Sequence, residues 1–351
     1  MSLRLEMLQA ATQARRVLGA SADLVLGFVL RQQNADGGFK NRAGASDLYY
    51  TAFALDSVRA LADDPAGSGG LAVAADESRR YMRRAMSFLG SFGSGQSLDF
   101  THLCCLARAW AATSDRSDGF DWRPVPRQAI LERIGGFRSR DGGFAAQAGA
   151  QHGTAYAAFL ALGVYEDFDE PIPGPLGLVD SLRRLETPDG AFANERAMGG
   201  SPSGITRPGS TTATAAALAV LRHLAPASEP ERGHSCPPGP LSRPGTWLLA
   251  RAHPRGGFLA LPNAPLPDLL STATALHALA NLGIPLAPQK DSCLDFIDSL
   301  WSNEGGFYGH WGDDHLDVEY VYYALLALGQ FEANLDSGLV SAPKTSKLTP
   351  G

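Results

Sequence analysis

One short motif recurs along the chain and sets the period of everything else. Asp36-Gly37-Gly38-Phe39, Asp141-Gly142-Gly143-Phe144, Asp189-Gly190-Ala191-Phe192, Arg255-Gly256-Gly257-Phe258 and Glu304-Gly305-Gly306-Phe307 are versions of it, and Ser91-Phe92-Gly93 divides the long first interval. Six units of about 50 residues then fill the chain, long for an array repeat. Adjacent glycines let the backbone turn at positive φ, and the phenylalanine that follows can plug the gap between neighbouring units.

The segments around the motif read as helices of two kinds. Before it, Cys293, Phe296, Ile297, Leu300 and Trp301 fall at i, i+3, i+4, i+7 and i+8, with Asp291, Asp295 and Asp298 on the other side. That pattern predicts an outer helix, wet on one face. After it, stretches such as Tyr320 to Gly329 and Thr211 to Leu221 are apolar nearly all round, which predicts an inner helix with no face in bulk water. Strand-like alternation is nowhere sustained. Stacked helical hairpins make an open superhelix or a closed ring, and an open one needs polar capping repeats. Here the last inner helix is among the most apolar, so a ring is expected: an all-α fold, an α/α toroid with six inner and six outer helices, as one domain over residues 1–335. Pro, Gly and Ser content suggests insertions near 62–77 and 225–245, and residues 336–351 read as a flexible tail. Small residues such as Ala213, Ala215, Ala216, Ala217 and Ala273 leave room for a central cavity that aromatics at helix starts would line.

Composition narrows the function classes. With 351 residues, 44% of them apolar, and a net charge of −6, the chain is neither disordered nor a polycation, and no dense basic stripe points to nucleic acid. No run approaches the roughly 18 apolar residues of a membrane helix, and arginines break the first apolar segment, so a cytoplasmic protein with no membrane span is expected. Cys104, Cys105, Cys236 and Cys293 form no CxxC pair and read as buried thiols.

The repeated motif with its following inner helix resembles the prenyltransferase and squalene cyclase repeat family, over residues 20 to 330. The resemblance implies an α/α toroid whose aromatic-lined funnel holds an isoprenoid chain. It also implies, as in protein prenyltransferase β subunits, pairing with a helical partner subunit, or else a homodimer. Those β subunits bind zinc through a D-x-C pair at the fifth inner helix and D-x-x-H-T at the sixth. Here Asp268 stands where the first ligand belongs, Leu270 replaces the cysteine and Tyr320 the histidine, so zinc of that kind is not expected. Of the diphosphate pocket, Arg207 remains, and Tyr156 keeps the family's lining tyrosine, with His152 beside it. The other branch, class II terpene cyclases, protonates an alkene or epoxide from a D-x-D-D-T-A acid. Asp317-Val318-Glu319 is its nearest chemical equivalent, with Glu319 at the proton donor's place.

The turn into the sixth inner helix, Tyr308 to Glu319, gathers two histidines and four carboxylates. Asp313 and Asp314, with Asp317 and Glu319, could hold Mg²⁺ against a diphosphate; alternatively Asp313 or Asp314 caps a helix and His310 and His315 are solvated. Asp317 and Glu319 lie two apart, about 200° around a helix, so one faces the cavity and the other caps. Asp317 is expected to do the metal or diphosphate work. The candidates are therefore Asp317, Glu319 and Tyr320 for catalysis, and Asp268, Asp313 and Asp314 for a metal. Tyr50, His102, His152, Tyr156, Arg207, Trp311 and Tyr323 are the candidates for the substrate. Three functions fit: first, transfer of a prenyl group from an isoprenoid diphosphate; second, a small terpene cyclase using Asp317 or Glu319; third, a non-catalytic lipid-binding or partner-docking toroid.

Overall fold

The computed structural model describes residues 1–62, 72–113, 125–196, 207–225 and 242–339. Most of the segments expected as insertions, the end of the expected tail and Cys236 lie outside these residues. Two helices, α1 (Leu3–Thr12) and α2 (Ala14–Leu18), precede six hairpins, each an outer helix followed by an inner one. The hairpins are α3 (Ser21–Arg31) with α4 (Leu48–Ala62), α5 (Ala72–Gly90) with α6 (Phe100–Thr113), α7 (Arg127–Gly135) with α8 (Ala155–Asp167), α9 (Pro175–Arg183) with α10 (Thr211–His223), α11 (Ser242–Leu249) with α12 (Leu269–Asn281), and α13 (Lys290–Ser299) with α14 (Val318–Leu339). Each inner helix packs on the next, and α14 packs back onto α4 and α3, so the ring is closed. Among the described residues the sheets are two short ribbons, Phe39–Lys40 with Ser46–Asp47 and Phe258–Leu259 with Pro267–Asp268, and no helix is long and apolar enough to cross a membrane.

The repeated motif is the joint of this ring. In all five copies the phenylalanine makes an antiparallel bridge to the residue six before it, such as Gln33 with Phe39 or Trp301 with Phe307, and each ring is buried. Three of them donate their backbone N–H to a buried threonine on the following inner helix, Phe39 to Thr51 at 2.9 Å, Phe192 to Thr214 at 3.0 Å and Phe258 to Thr272 at 2.9 Å. The first glycine sits against the next unit's outer helix. At Gly305, with φ near +94°, a Cβ would come within 2.4 Å of the Leu24 carbonyl on α3, so only glycine lets the sixth unit close on the first. Cys104, Cys105 and Cys293 are buried free thiols, and burial pushes their pKa values up, Cys105 to about 12.

Helix α1 lies across the end of the barrel where the inner helices finish. It packs on α4, α8 and α14, and Gly329 of α14 admits its backbone: a Cβ there would sit 1.9 Å from the Ala10 carbonyl. Buried charge pins it in place. Arg4 bonds Asp56 at 3.1 Å and Asp167 at 3.2 Å, while Glu6 meets Arg222 at 2.5 Å, His223 and His277 at 3.2 Å, and Asn281 at 2.7 Å. The barrel thus has a closed floor, and its mouth is the ring of inner-helix N-termini.

Candidate functional site at the barrel mouth

All six inner helices begin with a side chain that accepts from their first free backbone N–H groups. Asp47 accepts from Tyr49 at 2.7 Å, Asp99 from His102 at 2.9 Å, Thr154 from Ala157 at 3.1 Å, Ser210 from Ala213 at 3.2 Å, Asp268 from Ser271 at 2.7 Å and Asp317 from Tyr320 at 3.0 Å. A cap of this kind contributes about 1 kcal/mol to its helix. Asp268 and Asp317, singled out above as ligand or catalytic groups, therefore occupy the position that every unit fills with a cap.

Two residues beyond the cap, Tyr49, Tyr156 and Glu319 hold equivalent places in α4, α8 and α14. They meet at the mouth. The Tyr49 hydroxyl donates to Glu319 Oε1 at 2.7 Å. Burial raises the Glu319 carboxyl to about 7; the Tyr49 bond opposes this, and the Asp317 charge adds to it. Among the described residues Glu319 has no cation in salt-bridge contact. Arg42, the nearby guanidinium, instead bonds Asp317 at 2.8 Å and Asp313 at 3.0 Å, and lies over the Tyr320 ring. Burial likewise raises the phenols of Tyr49 and Tyr323. Phe53 packs on both, with ring centroids 4.9 Å from Tyr49 and 5.3 Å from Tyr323.

Below these tyrosines a narrow cavity, with about 40 Å³ open to the centre of a water-sized sphere, runs down between α4, α6, α8 and α1. Its walls are Ala52 and Phe53, Cys104 and Cys105, and Phe159, Leu160, Gly163 and Val164; Leu3 and Met7 of α1 form its floor. The charged groups that reach it are neutralised. Arg4 and Arg108 share Asp56, and Arg4 also holds Asp167. Arg108 lies over the Phe53 and Tyr322 rings.

The family model for the prenyltransferase alpha-alpha toroid domain matches residues 5–233 and 239–340. The chain belongs to the prenyltransferase alpha-alpha toroid family. Solved structures agree on the fold at low identity. The type II terpene cyclase MstE from Scytonema, in complex with merosterolic acid A, is 14% identical with a TM-score of 0.57, covering 94% of this chain and 98% of that one. MstE in complex with geranylgeranyl dihydroxybenzoate gives 14% and 0.56, over 93% and 97%. The alpha-1,6-mannanase GH76A of Salegentibacter in complex with alpha-1,6-mannotriose gives 15% and 0.58, over 90% and 99%. At these identities the likeness is one of fold. No curated protein matches the sequence.

Within this toroid the sequence candidates separate. Tyr156 lines the cavity, and Tyr323 stands behind Phe53. Tyr50 packs edge-on to Tyr49 with centroids 5.6 Å apart, on the side of Arg42 and Asp317. Tyr320 turns the other way, onto Gly309 and under Arg42, so it does not join Glu319. His102 bonds the cap Asp99 at 2.8 Å, exposed His152 lies 3.4 Å from Asp141, and exposed Arg207 pairs with Glu195 at 2.5 Å. Trp311 is not a cavity residue: its indole N–H reaches Ser299 at 2.9 Å, its ring packs on Phe296, and Arg255 covers it. None of these four is among the residues that line the cavity.

The metal candidates separate as well. Among the described residues, the group able to gather around a cation is Asp313, Asp314 and His315. Asp313 already accepts from Arg42 and from the Gly309 and His315 backbone, contacts that hold its carboxyl low against the effect of burial, and Asp314 is exposed. Asp268 is not in the group. The residues do not fit the zinc site of protein prenyltransferases, because Leu270 has no donor atom and Asp268 is a cap. Tyr49, the hydrogen-bond partner of Glu319, stands at the same distance from its cap as Tyr156, a signal that the sequence carries.

Proposed function

We propose that this toroid is an isoprenoid-handling enzyme that takes a prenyl chain into the cavity and protonates it from Glu319 to start a cyclisation or isomerisation. The observation that carries the reading is a half-buried carboxyl raised to about 7 that, among the described residues, has no cation in salt-bridge contact and is bonded to Tyr49, itself a residue of the apolar cavity. A carboxyl of that pKa is present as neutral acid near neutral pH and can deliver its proton. In the step, the π pair of an alkene takes the Glu319 proton, forming a C–H bond and leaving a tertiary cation. A second double bond of the chain attacks that cation, loss of a proton to solvent returns the product to neutrality, and water reprotonates Glu319. The rings of Tyr49, Phe53 and Tyr156, which line the cavity, favour the cation by about 1 kcal/mol or more each when desolvated.

The cavity lining also weighs against sugar chemistry, which the mannanase shares only through its fold. Glycoside hydrolysis uses two carboxyl groups flanking the bond, roughly 5 to 9.5 Å apart. Here Asp47, Asp99, Asp268 and Asp317 at the mouth each cap an inner helix, and Asp317 is also ion-paired with Arg42. Prenyl transfer, the first expectation from sequence, is favoured by one observation. Arg42 stands half-exposed beside the mouth, and a diphosphate could draw it away from Asp313 and Asp317.

The test incubates the protein with farnesyl and geranylgeranyl substrates, as the alcohols and as the diphosphates. The expected product has the mass of its substrate, releases no diphosphate and is lost in Glu319→Gln. Diphosphate release abolished by Arg42→Ala would assign ionisation of the carbon–oxygen bond, the first step of transfer to an acceptor, instead. Binding without turnover would leave a lipid-binding toroid.

A further inference from the structure

We infer that α1 is the stop that limits how long an isoprenoid chain the cavity accepts, with Met7 on α1 and Gly163 on α8 fixing its depth; this rests on the isoprenoid reading above. Along α8 the residues that line the cavity, Tyr156, Leu160, Gly163 and Asp167, share one face and descend from mouth to floor. Tyr156 to Gly163 is a drop of about 10 Å, and to Asp167 about 16 Å. There the descent ends on α1, because Asp167 accepts from the Ser2 hydroxyl at 2.7 Å and from Arg4 at 3.2 Å. Leu3 and Met7, 1% and 7% exposed, supply the apolar surface of that floor. The anchoring of Glu6 and the contact of Gly329 with Ala10 keep the floor from yielding to a longer chain.

Gly163 is the second observation. It lies inside α8, where glycine is less favourable than alanine by about 1 kcal/mol, and its φ is not in the left-handed region. A Cβ built there would meet nothing within 4 Å, so no close approach requires glycine. What lies in front of it is the cavity, and a side chain would fill that space.

Both residues are tested by binding geraniol, farnesol and geranylgeraniol to the full chain, followed by calorimetry, with thermal unfolding of the free protein measured in parallel. In Met7→Ala the relative affinity shifts roughly tenfold toward the longer alcohol. In Gly163→Leu it shifts by a similar factor toward the shorter one, while the Tm of the free protein holds or rises. That pair of results separates cavity filling from damage to the fold. Should Met7→Ala fail to fold, Gly163→Leu reads the same depth from the opposite wall without touching α1. Unchanged relative affinities in a folded variant would overturn the inference and leave the isoprenoid reading standing. If the parent protein binds none of the three alcohols, both fall.

Discussion

At the floor of the barrel, Glu6 is enclosed by Arg222, His223, His277 and Asn281; at the mouth, Glu319 has a tyrosine hydroxyl and aromatic rings. Both are partly buried glutamates, and burial alone would raise both. Hydrogen bonds from His223, His277 and Arg222 outweigh burial at Glu6 and hold it well below the usual carboxylate range. Nothing comparable opposes burial at Glu319, which rises to about 7. The contrast separates an acid that fastens two parts of a fold from one that is free to exchange its proton. An ionised, matched carboxylate does structural work, and its neighbour histidine reflects this: burial would lower His223, yet Glu166 and Glu6 raise it to about 9.

The largest effect should come from exchanging the roles of these two acids. Glu319→Gln removes the proposed proton donor, and turnover of a prenyl substrate should fall by about 10²–10⁴-fold with the far-ultraviolet circular dichroism unchanged. Glu6→Gln should leave the chemistry nearly intact while lowering stability by about 1–2 kcal/mol in urea unfolding, since it takes a shared carboxylate from half-exposed Arg222 and from His223. If Glu6→Gln were the variant that lost turnover in a folded protein, the division between floor and mouth would be broken.

Stability as a function of pH sharpens the same contrast. A folded pKa raised to about 7 means that the folded state binds the Glu319 proton more tightly than the unfolded state. That contribution is complete below the unfolded value near 4.5 and is lost as pH rises through 7. Glu319→Gln should therefore be more stable than the parent at pH 8, by up to about 3 kcal/mol, with no difference near pH 4. The floor has the opposite sign at the acid end: the Glu6 contribution is present above its ordinary value and lost as pH falls through its depressed one. The His223 contribution is present below 6.5 and lost as pH rises through about 9. Hydrogen exchange of the α1 amides should accordingly quicken above pH 9 in the parent, and a protection of α1 that is flat from pH 6 to 10 would contradict the histidine's part. The smallest effect belongs to Tyr49→Phe. Its hydroxyl lowers the Glu319 pKa, so losing it should move the alkaline limb of the activity profile upward, by under about one pH unit.

Much of the fold was written in local pattern. The Gly-Gly-Phe joints, the one-faced outer helices and the all-round apolar inner helices each point to the same ring, and the structure closes it through Gly305 and α3. The mouth was half legible. Glu319, Tyr156 and Tyr323 stood out by type and position, whereas Asp317 was assigned the chemistry because a family motif has an aspartate there. Reading the same register around the ring, Asp47, Asp99, Thr154, Ser210, Asp268 and Asp317, shows a cap in every unit. Trp311, His152 and Arg207 find their partners outside the cavity lining, because aromatic and basic residues near a helix start pack outward as readily as inward. Helix α1 was invisible for a different reason. Its sequence, LRLEMLQAAT, carries charge and leucine around all faces, and its burial depends on Asp56, Asp167, Arg222 and His277, partners 50 to 270 residues away.

Infrared spectroscopy of the carboxyl groups across a pH titration reads Glu319 directly. The expected spectrum keeps a C=O stretch of a protonated carboxylic acid up to about pH 7, lost on ionisation and missing in Glu319→Gln. A Glu319 already ionised at pH 5 would contradict the assignment of this residue as the proton donor.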